Sequence, residues 1–162
     1  MIRNLQPADR EQLISIISRQ PLFNKEEVDV AIELLNIALD DPKQDDYHFF
    51  VFMENNKVLG YHCTGRRPLT DGVYDLYWIA VDPDMHGKGI GKALIENAND
   101  FVKTRNGRWL LAETSGKESY GKTKEFYLRN NFKIVTEIND FYSVGDDLLV
   151  FGRYLGNKQT EG

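Results

Sequence analysis

Hydrophobic spacing along the chain changes period several times, and each change marks an element. Leu13, Ile16 and Ile17 recur at helical spacing behind Asp9, which with Gln12 has the residue types of a capping box. Val28, Ile32, Leu35 and Leu39 continue at the same period and predict a second helix. Pro42 and the acidic Asp40, Asp41, Asp45 and Asp46 mark a solvated connection. Residues 47–53 then read as an aromatic-rich strand, and Asn55-Asn56 as a hairpin turn. Two further strands, 57–66 and 73–81, flank a loop containing Pro68 and the turn signal Asp71-Gly72. These three strands predict an antiparallel meander, and a short strand is expected ahead of the first helix.

From Gly89 the period turns helical again, with Ile90, Leu94, Ala98, Phe101 and Val102 on one face and Gly107 as the expected stop near Arg105. Residues 108–114 read as a strand. A helix of about 16 residues between it and the preceding strand permits a parallel pair joined by a right-handed crossover. A shorter helix carrying Phe126 and Tyr127 follows, then strands 133–138 and 148–154. The order β-α-α-β-β-β-α-β-α-β-β predicts an α/β fold of the α+β type. Its sheet is mixed, mostly antiparallel and six- to seven-stranded, with helices on both faces. Residues 1–156 are expected to form a single domain, and 157–162 a loose tail.

Composition narrows the function classes. The 162 residues are 41% hydrophobic, enough for one substantial core. A net charge of −5 with 28% charged residues argues against nucleic acid as a partner, since a phosphate-binding surface needs clustered Lys and Arg. No run approaches the ~18 apolar residues of a membrane span, and the first residues lack a signal peptide's apolar stretch, so no membrane partner and a cytoplasmic location are expected. Cys63 is the lone cysteine, which leaves no internal disulfide or thiolate metal cluster and predicts a buried, unreactive thiol.

The chemistry concentrates after Val81-Asp82-Pro83, where His86-Gly87-Lys88-Gly89-Ile90-Gly91-Lys92 opens a helix. Backbone N–H groups at a helix start have no partner within the helix and sit at its positive dipole end, so they suit an anion such as a diphosphate. Glycines let phosphate oxygens approach that backbone, and Lys88 and Lys92 add charge. A triphosphate-binding P-loop would need glycine at His86 and a hydroxyl residue at Ala93. A dinucleotide fingerprint finds Lys92 where its third glycine belongs, after a meander instead of a βαβ unit.

These residues resemble the GNAT superfamily of N-acetyltransferases, in which a strand ending in V-x-P precedes R/Q-x-x-G-x-G/A at a helix start; His86 replaces the usual Arg or Gln. The resemblance implies a central parallel pair of strands splayed for CoA, acetyl-CoA as cosubstrate, and no metal. It implies that the pantetheine arm pairs with Ile79-Ala80-Val81, that the Val81 N–H polarises the thioester carbonyl, and that residues 86–92 hold the pyrophosphate. Lys124-Glu125-Phe126-Tyr127-Leu128-Arg129-Asn130-Asn131-Phe132 resembles the family's F-Y-x-x-x-G-F segment and makes Tyr127 the expected proton donor to the departing thiolate. Asn131 stands in the glycine's place, a substitution suited to a left-handed C-cap. Tyr120 occupies the position of an asparagine that often contacts CoA.

Aminolysis of a thioester also requires the amine to lose a proton, since an alkyl ammonium with a pKa near ~10 is mostly protonated at neutral pH. The resemblance makes Glu113, late in its strand, the favoured base, since some relatives use a carboxylate there; Asp75 and Tyr77 are competitors and candidate acceptor contacts, and a water-mediated path would need no single base. Asp140, Phe141 and Tyr142 join acidity to aromaticity near Asp146 and Asp147, a combination that can hold an ammonium group. Glu26, Glu27, Asp29 and Glu33 add further acidity. The expected acceptor is a small primary amine or amino-acid-like metabolite. Acetylation of peptides and a non-catalytic CoA-binding role are the alternatives. Domains of this kind often pair through their last strands, which allows a homodimer.

Overall fold

The computed structural model describes residues 1–156, so the expected tail at 157–162 lies outside the described residues. Seven strands, β1 (Ile2–Asn4), β2 (His48–Glu54), β3 (Lys57–Arg66), β4 (Val73–Val81), β5 (Trp109–Ser115), β6 (Lys133–Ser143) and β7 (Asp146–Tyr154), form one sheet in the order β1-β2-β3-β4-β5-β7-β6. The helices are α1 (Arg10–Ser18), α2 (Lys25–Asp40), α3 (Ile90–Thr104) and α4 (Gly121–Arg129). The described residues divide into two compact units within β4 and α3: Met1–Gly65 with Tyr77–Ala98, and Arg66–Leu76 with the described residues from Asn99.

In the first unit β1 pairs antiparallel with β2, and β2 with β3 as the first hairpin of the predicted meander. Asn55 and Asn56 close the β2–β3 hairpin in the left-handed conformation, with φ of 51° and 61°, the combination that matches strand twist across a two-residue turn. Leu13, Ile16 and Ile17 of α1 and Ala31 and Leu35 of α2 pack with Phe49, Val51, Tyr61 and Cys63. Leu59, Ile90 and Leu94 gather separately with Phe52, Ile79 and Val81. Cys63 is fully buried, and burial pushes its thiol pKa up, away from the reactive thiolate.

The expected capping box at Asp9 and Gln12 is absent. Asp9 makes no side-chain cap to α1; its carboxylate instead takes a two-pronged bond from Arg3, at 2.8 and 2.9 Å, and the Gln6 N–H at 2.8 Å. Burial works to raise the Asp9 pKa, but the bonds from Arg3 and Gln6 outweigh it and hold the carboxyl below its ordinary value. Gln12 is drawn away to accept the Val58 N–H at 2.9 Å. A capping box forms at α2, where the Asn24 side chain accepts from the Glu27 N–H at 2.8 Å and Glu27 accepts from Asn24.

In the second unit β5 pairs parallel with β4, Val73 opposite Trp109 and Asp75 opposite Leu111, and antiparallel with β7. β6 runs to Ser143, five residues past its expected end at Ile138, and places Asp140, Phe141 and Tyr142 in a strand. α3 stops at Thr104, but Asn106, with φ 59°, is the left-handed residue of its C-cap; the Gly107 N–H closes the motif on Val102 O at 2.9 Å. Gly107 has a different necessity: a Cβ there would lie 2.4 Å from Val102 Cγ1 and 2.9 Å from the Tyr74 ring.

Candidate active site

Within the first unit, β4 breaks the alternation of a regular strand. Tyr77 and Trp78, though consecutive, both pack against the core built with α1 and α2; Ala80 does the same, while Ile79 and Val81 join Leu59 and Ile90. One slipped residue of this kind re-aims side chains and interrupts ladder pairing. Tyr77 packs edge-on to Tyr47 at 5.3 Å, and Trp78 to Phe23 at 5.2 Å.

Beyond Val81 the chain makes a 3-10 turn at Pro83–Met85, held by the Asp82 carboxylate on the Asp84 N–H at 3.0 Å and by Met85 N–H on Asp82 O at 2.8 Å. His86 is extended, with φ −66° and ψ 151°. Gly87 and Gly89 then adopt φ of +79° and +78°, and α3 starts at Ile90, with Ala93 N–H bonded to Gly89 O at 3.0 Å. A Cβ built on either glycine would meet no atom of the chain within 4 Å. Backbone conformation, not crowding, therefore demands glycine here, and the bare side of the turn is open to an approaching group. Ile90 sends its side chain into the core beside Leu59 and Leu94, leaving its backbone to the turn, whereas His86, Lys88 and Lys92 are exposed.

In the second unit Tyr127 lies on α4, 5% exposed, its ring stacked on Phe151 at 5.1 Å and tilted against Phe132 at 5.3 Å. Burial raises its hydroxyl pKa, so the group keeps its proton at neutral pH. The helix closes as the residue types predict: Asn131 has φ 68°, its N–H bonds to Leu128 O at 3.2 Å, and Phe132 N–H bonds to Tyr127 O at 3.0 Å. Tyr120, half-buried, occupies the N-cap position of the same helix.

Glu113 and Asp75 are joined by a residue that sequence reading passed over. Arg67, just past the end of β3, grips Asp75 with three contacts of 2.8–3.1 Å and reaches Glu113 Oε1 at 3.3 Å. Asp75 is 9% exposed, whereas the Glu113 side chain is 47% exposed and the freer of the two. Hydrogen bonds donated to Asp75 push the Arg67 pKa up, against the opposing effect of burial, so the guanidinium remains charged. Glu113 sits opposite Val150 in the β5–β7 ladder, while Ala112 sits opposite Phe151, the ring on which Tyr127 stacks. Alternation thus sends Glu113 and Tyr127 to opposite faces of that ladder.

The acidic and aromatic residues of the last hairpin are partly committed to its turn. The Asp140 carboxylate accepts the Gly145 N–H at 2.8 Å, and its own N–H donates to Asp147 Oδ1 at 2.9 Å. Asp146 is engaged by the Ser115 hydroxyl and lies 3.5 Å from Lys117 Nζ. Phe141 and Tyr142 stay half-exposed, edge-to-face at 5.0 Å. Among the described residues, no group of three or more His, Cys, Asp or Glu side chains could hold a metal ion, and no helix is long and apolar enough to cross a membrane.

Residues 45–134 match the family described as the Acetyltransferase (GNAT) domain. An uncharacterized N-acetyltransferase of Methanocaldococcus jannaschii is 36% identical over 95 residues, covering 56% of this chain and 41% of that protein. The mycothiol acetyltransferase of Segniliparus rotundus is 33% identical over 92 residues, covering 54% and 35%. The matches therefore span less than half of each of these curated relatives. A crystal structure from Desulfovibrio desulfuricans assigned to the GNAT family superposes with a TM-score of 0.92 at 36% identity, covering 96% of this chain and 99% of that one.

Proposed function

Because the chain belongs to the GNAT acetyltransferase family, we propose that it transfers an acetyl group from acetyl-CoA to the primary amine of a small molecule or amino-acid-like metabolite by direct attack. The observation that carries this reading is the turn in which Gly87 and Gly89, both at positive φ and both open on the Cβ side, lead into a 15-residue helix. Residues 86–92 hold the CoA pyrophosphate there through backbone N–H groups, with Lys88 and Lys92 supplying positive charge. The pantetheine arm pairs with Ile79-Ala80-Val81 as an added strand, and the Val81 N–H faces the oxyanion that forms when the thioester carbonyl is attacked.

Three proton transfers complete the reaction. The incoming ammonium loses one proton to Glu113, directly or through water, its nitrogen forms the new C–N bond, and that nitrogen gives up a second proton to water as the tetrahedral intermediate collapses to the neutral amide. As the C–S bond breaks, the sulfur takes the proton of the Tyr127 hydroxyl, which the phenol later regains from solvent. The opposite orientation of Glu113 and Tyr127 suits this division, since amine deprotonation and thiolate protonation serve different partners. Arg67 ties Glu113 and Asp75 to one guanidinium. Asp75, Tyr77, Phe141 and Tyr142 are the candidate acceptor contacts. A homodimer belongs to the same reading: β6 is an edge strand whose eleven residues are all exposed, Ile134, Val135 and Ile138 among them.

Incubation with acetyl-CoA, a panel of small primary amines and a set of peptides, followed by mass measurement of the products, tests the assignment. Acetylated small amines are expected. Acetylation confined to peptides would overturn the acceptor class.

A further inference from the structure

The loop between β3 and β4 holds one side chain in place. Arg67 N–H donates to Val73 O at 2.8 Å, and the Thr70 hydroxyl donates to Arg67 O at 2.8 Å while accepting the Val73 N–H at 3.3 Å. From that pinned backbone Arg67 lays the Nε–Nη2 edge of its guanidinium along the Asp75 carboxylate, with Nε 3.1 and 3.0 Å from the two oxygens and Nη2 2.8 Å from Oδ1. Nη2 also reaches Glu113 Oε1, at 3.3 Å. One guanidinium thus serves two carboxylates unequally. Asp75, buried on β4, takes the fork; Glu113, half-exposed on β5, takes a single longer bond.

The inequality matters because of charge. A carboxylate that faces an unmatched guanidinium is held in its charged form and makes a poor base, since the positive charge opposes proton uptake. Asp75 puts a second negative charge on the same guanidinium, so Glu113 meets an arginine whose charge is already matched. Other charged groups of this unit are engaged elsewhere or lie a strand away. Arg66 is turned to Thr70 O at 2.6 Å, and Arg108 pairs with Asp71 at 2.6 Å. Asp146 is engaged by the Ser115 hydroxyl and Lys117, and Lys133 lies across β7, opposite Gly152. On β7 itself Glu113 faces Val150, with Leu148 and Gly152 to either side. Arg67 and Asp75 are therefore the charges that govern it.

We infer that Asp75 is a positioning residue for the reaction: by taking the Arg67 fork it leaves Glu113 able to accept the proton of the amine. This rests on the reading above that Glu113 is the base. Asp75→Asn keeps the shape, loses the charge and offers the fork one oxygen in place of two, so the Arg67 charge turns to Glu113. A carbon-13 NMR titration of the Glu113 carboxyl, identified by its loss in Glu113→Gln and recorded without acceptor, reads the effect. The midpoint in Asp75→Asn should fall about one pH unit below that of wild type. With the amine that wild type acetylates fastest, kcat/KM at pH 7.5 should fall about threefold, as expected of a weaker base. Asp75→Asn combined with Arg67→Met removes both charges and should return the midpoint to that of wild type or above it, whereas a purely structural bridge would leave the double variant no better than the single one. Should Asp75→Asn fail to fold, Asp75→Ser, equally uncharged and small enough to admit water to Arg67, replaces it with the same expectation. An unmoved midpoint in the uncharged variant, or a double variant that keeps the lowered midpoint, would overturn the inference. Glu113→Gln acetylating that amine at the wild-type rate would instead refute the reading of Glu113 as base.

Discussion

Acidification should release a defined amount of stability through one side chain, His62. The imidazole is fully buried in β3, with Nδ1 2.9 Å from the Thr64 hydroxyl, Nε2 2.8 Å from Asn97 Oδ1 of α3, and the Phe50 ring stacked at 5.0 Å. Assigned from these partners, the neutral tautomer donates Nε2–H to Asn97 and accepts from the Thr64 hydroxyl at Nδ1. Burial lowers the His62 pKa from 6.5 to about 4, the bond to Asn97 acting in the other direction. A folded-state pKa below the unfolded one means the contribution is complete above pH 6.5 and is lost as pH falls from there toward 4. Fully expressed, the difference is ~3 kcal/mol, of which ~2 kcal/mol is gone at pH 5. Urea unfolding of wild type and His62→Gln at pH 7.5 and 5.0 measures it, because the carboxylates and the other histidines are common to both proteins. Wild type should lose ~2 kcal/mol more than the variant over that interval. Equal losses, or an NMR titration of the His62 ring with a midpoint near 6.5, would refute the reasoning.

Three further substitutions separate conformation, packing and chemistry. Gly89→Ala puts an L-residue at φ +78° with nothing to clash against, so it should lower stability by only ~1–2 kcal/mol while raising the CoA dissociation constant several-fold in calorimetry. Gly107→Ala should do the reverse, lowering the unfolding free energy by ~1–3 kcal/mol through the contact with Val102 and leaving CoA affinity unchanged. Tyr127→Phe keeps the ring stacked on Phe151 and removes only the hydroxyl, so kcat should fall by ~10²-fold with little change in the melting temperature.

The elements themselves were legible because their signals are local. The helical period of Ile90, Leu94 and Ala98, the Asn55-Asn56 turn and the left-handed Asn131 each depend on residues close in sequence. The glycine-rich turn was legible for the same reason, since Gly87 and Gly89 need nothing distant to explain them. What escaped depends on partners brought together by folding. Asp9 looks like a helix cap until Arg3 is seen on it, and Asp75 and Glu113 read as competing candidates until Arg67, 46 residues from Glu113, ties both to one guanidinium. Gly107 has the residue type of a C-cap, yet Asn106 takes the left-handed conformation and Gly107 is kept by the crowding of Val102 and Tyr74. The acidic hairpin was a surface hint whose aspartates turn out to bond their own turn and its neighbours.

Release of CoA thiol from acetyl-CoA, followed with and without each member of an amine panel, tests the central claim most directly. The account predicts thiol release that requires both protein and a particular amine, a product heavier by one acetyl group, and a rate that drops in Gly89→Ala through KM and in Tyr127→Phe through kcat. Tight CoA binding with no amine-dependent thiol release from any acceptor would contradict it and would leave a CoA-binding domain without transferase chemistry.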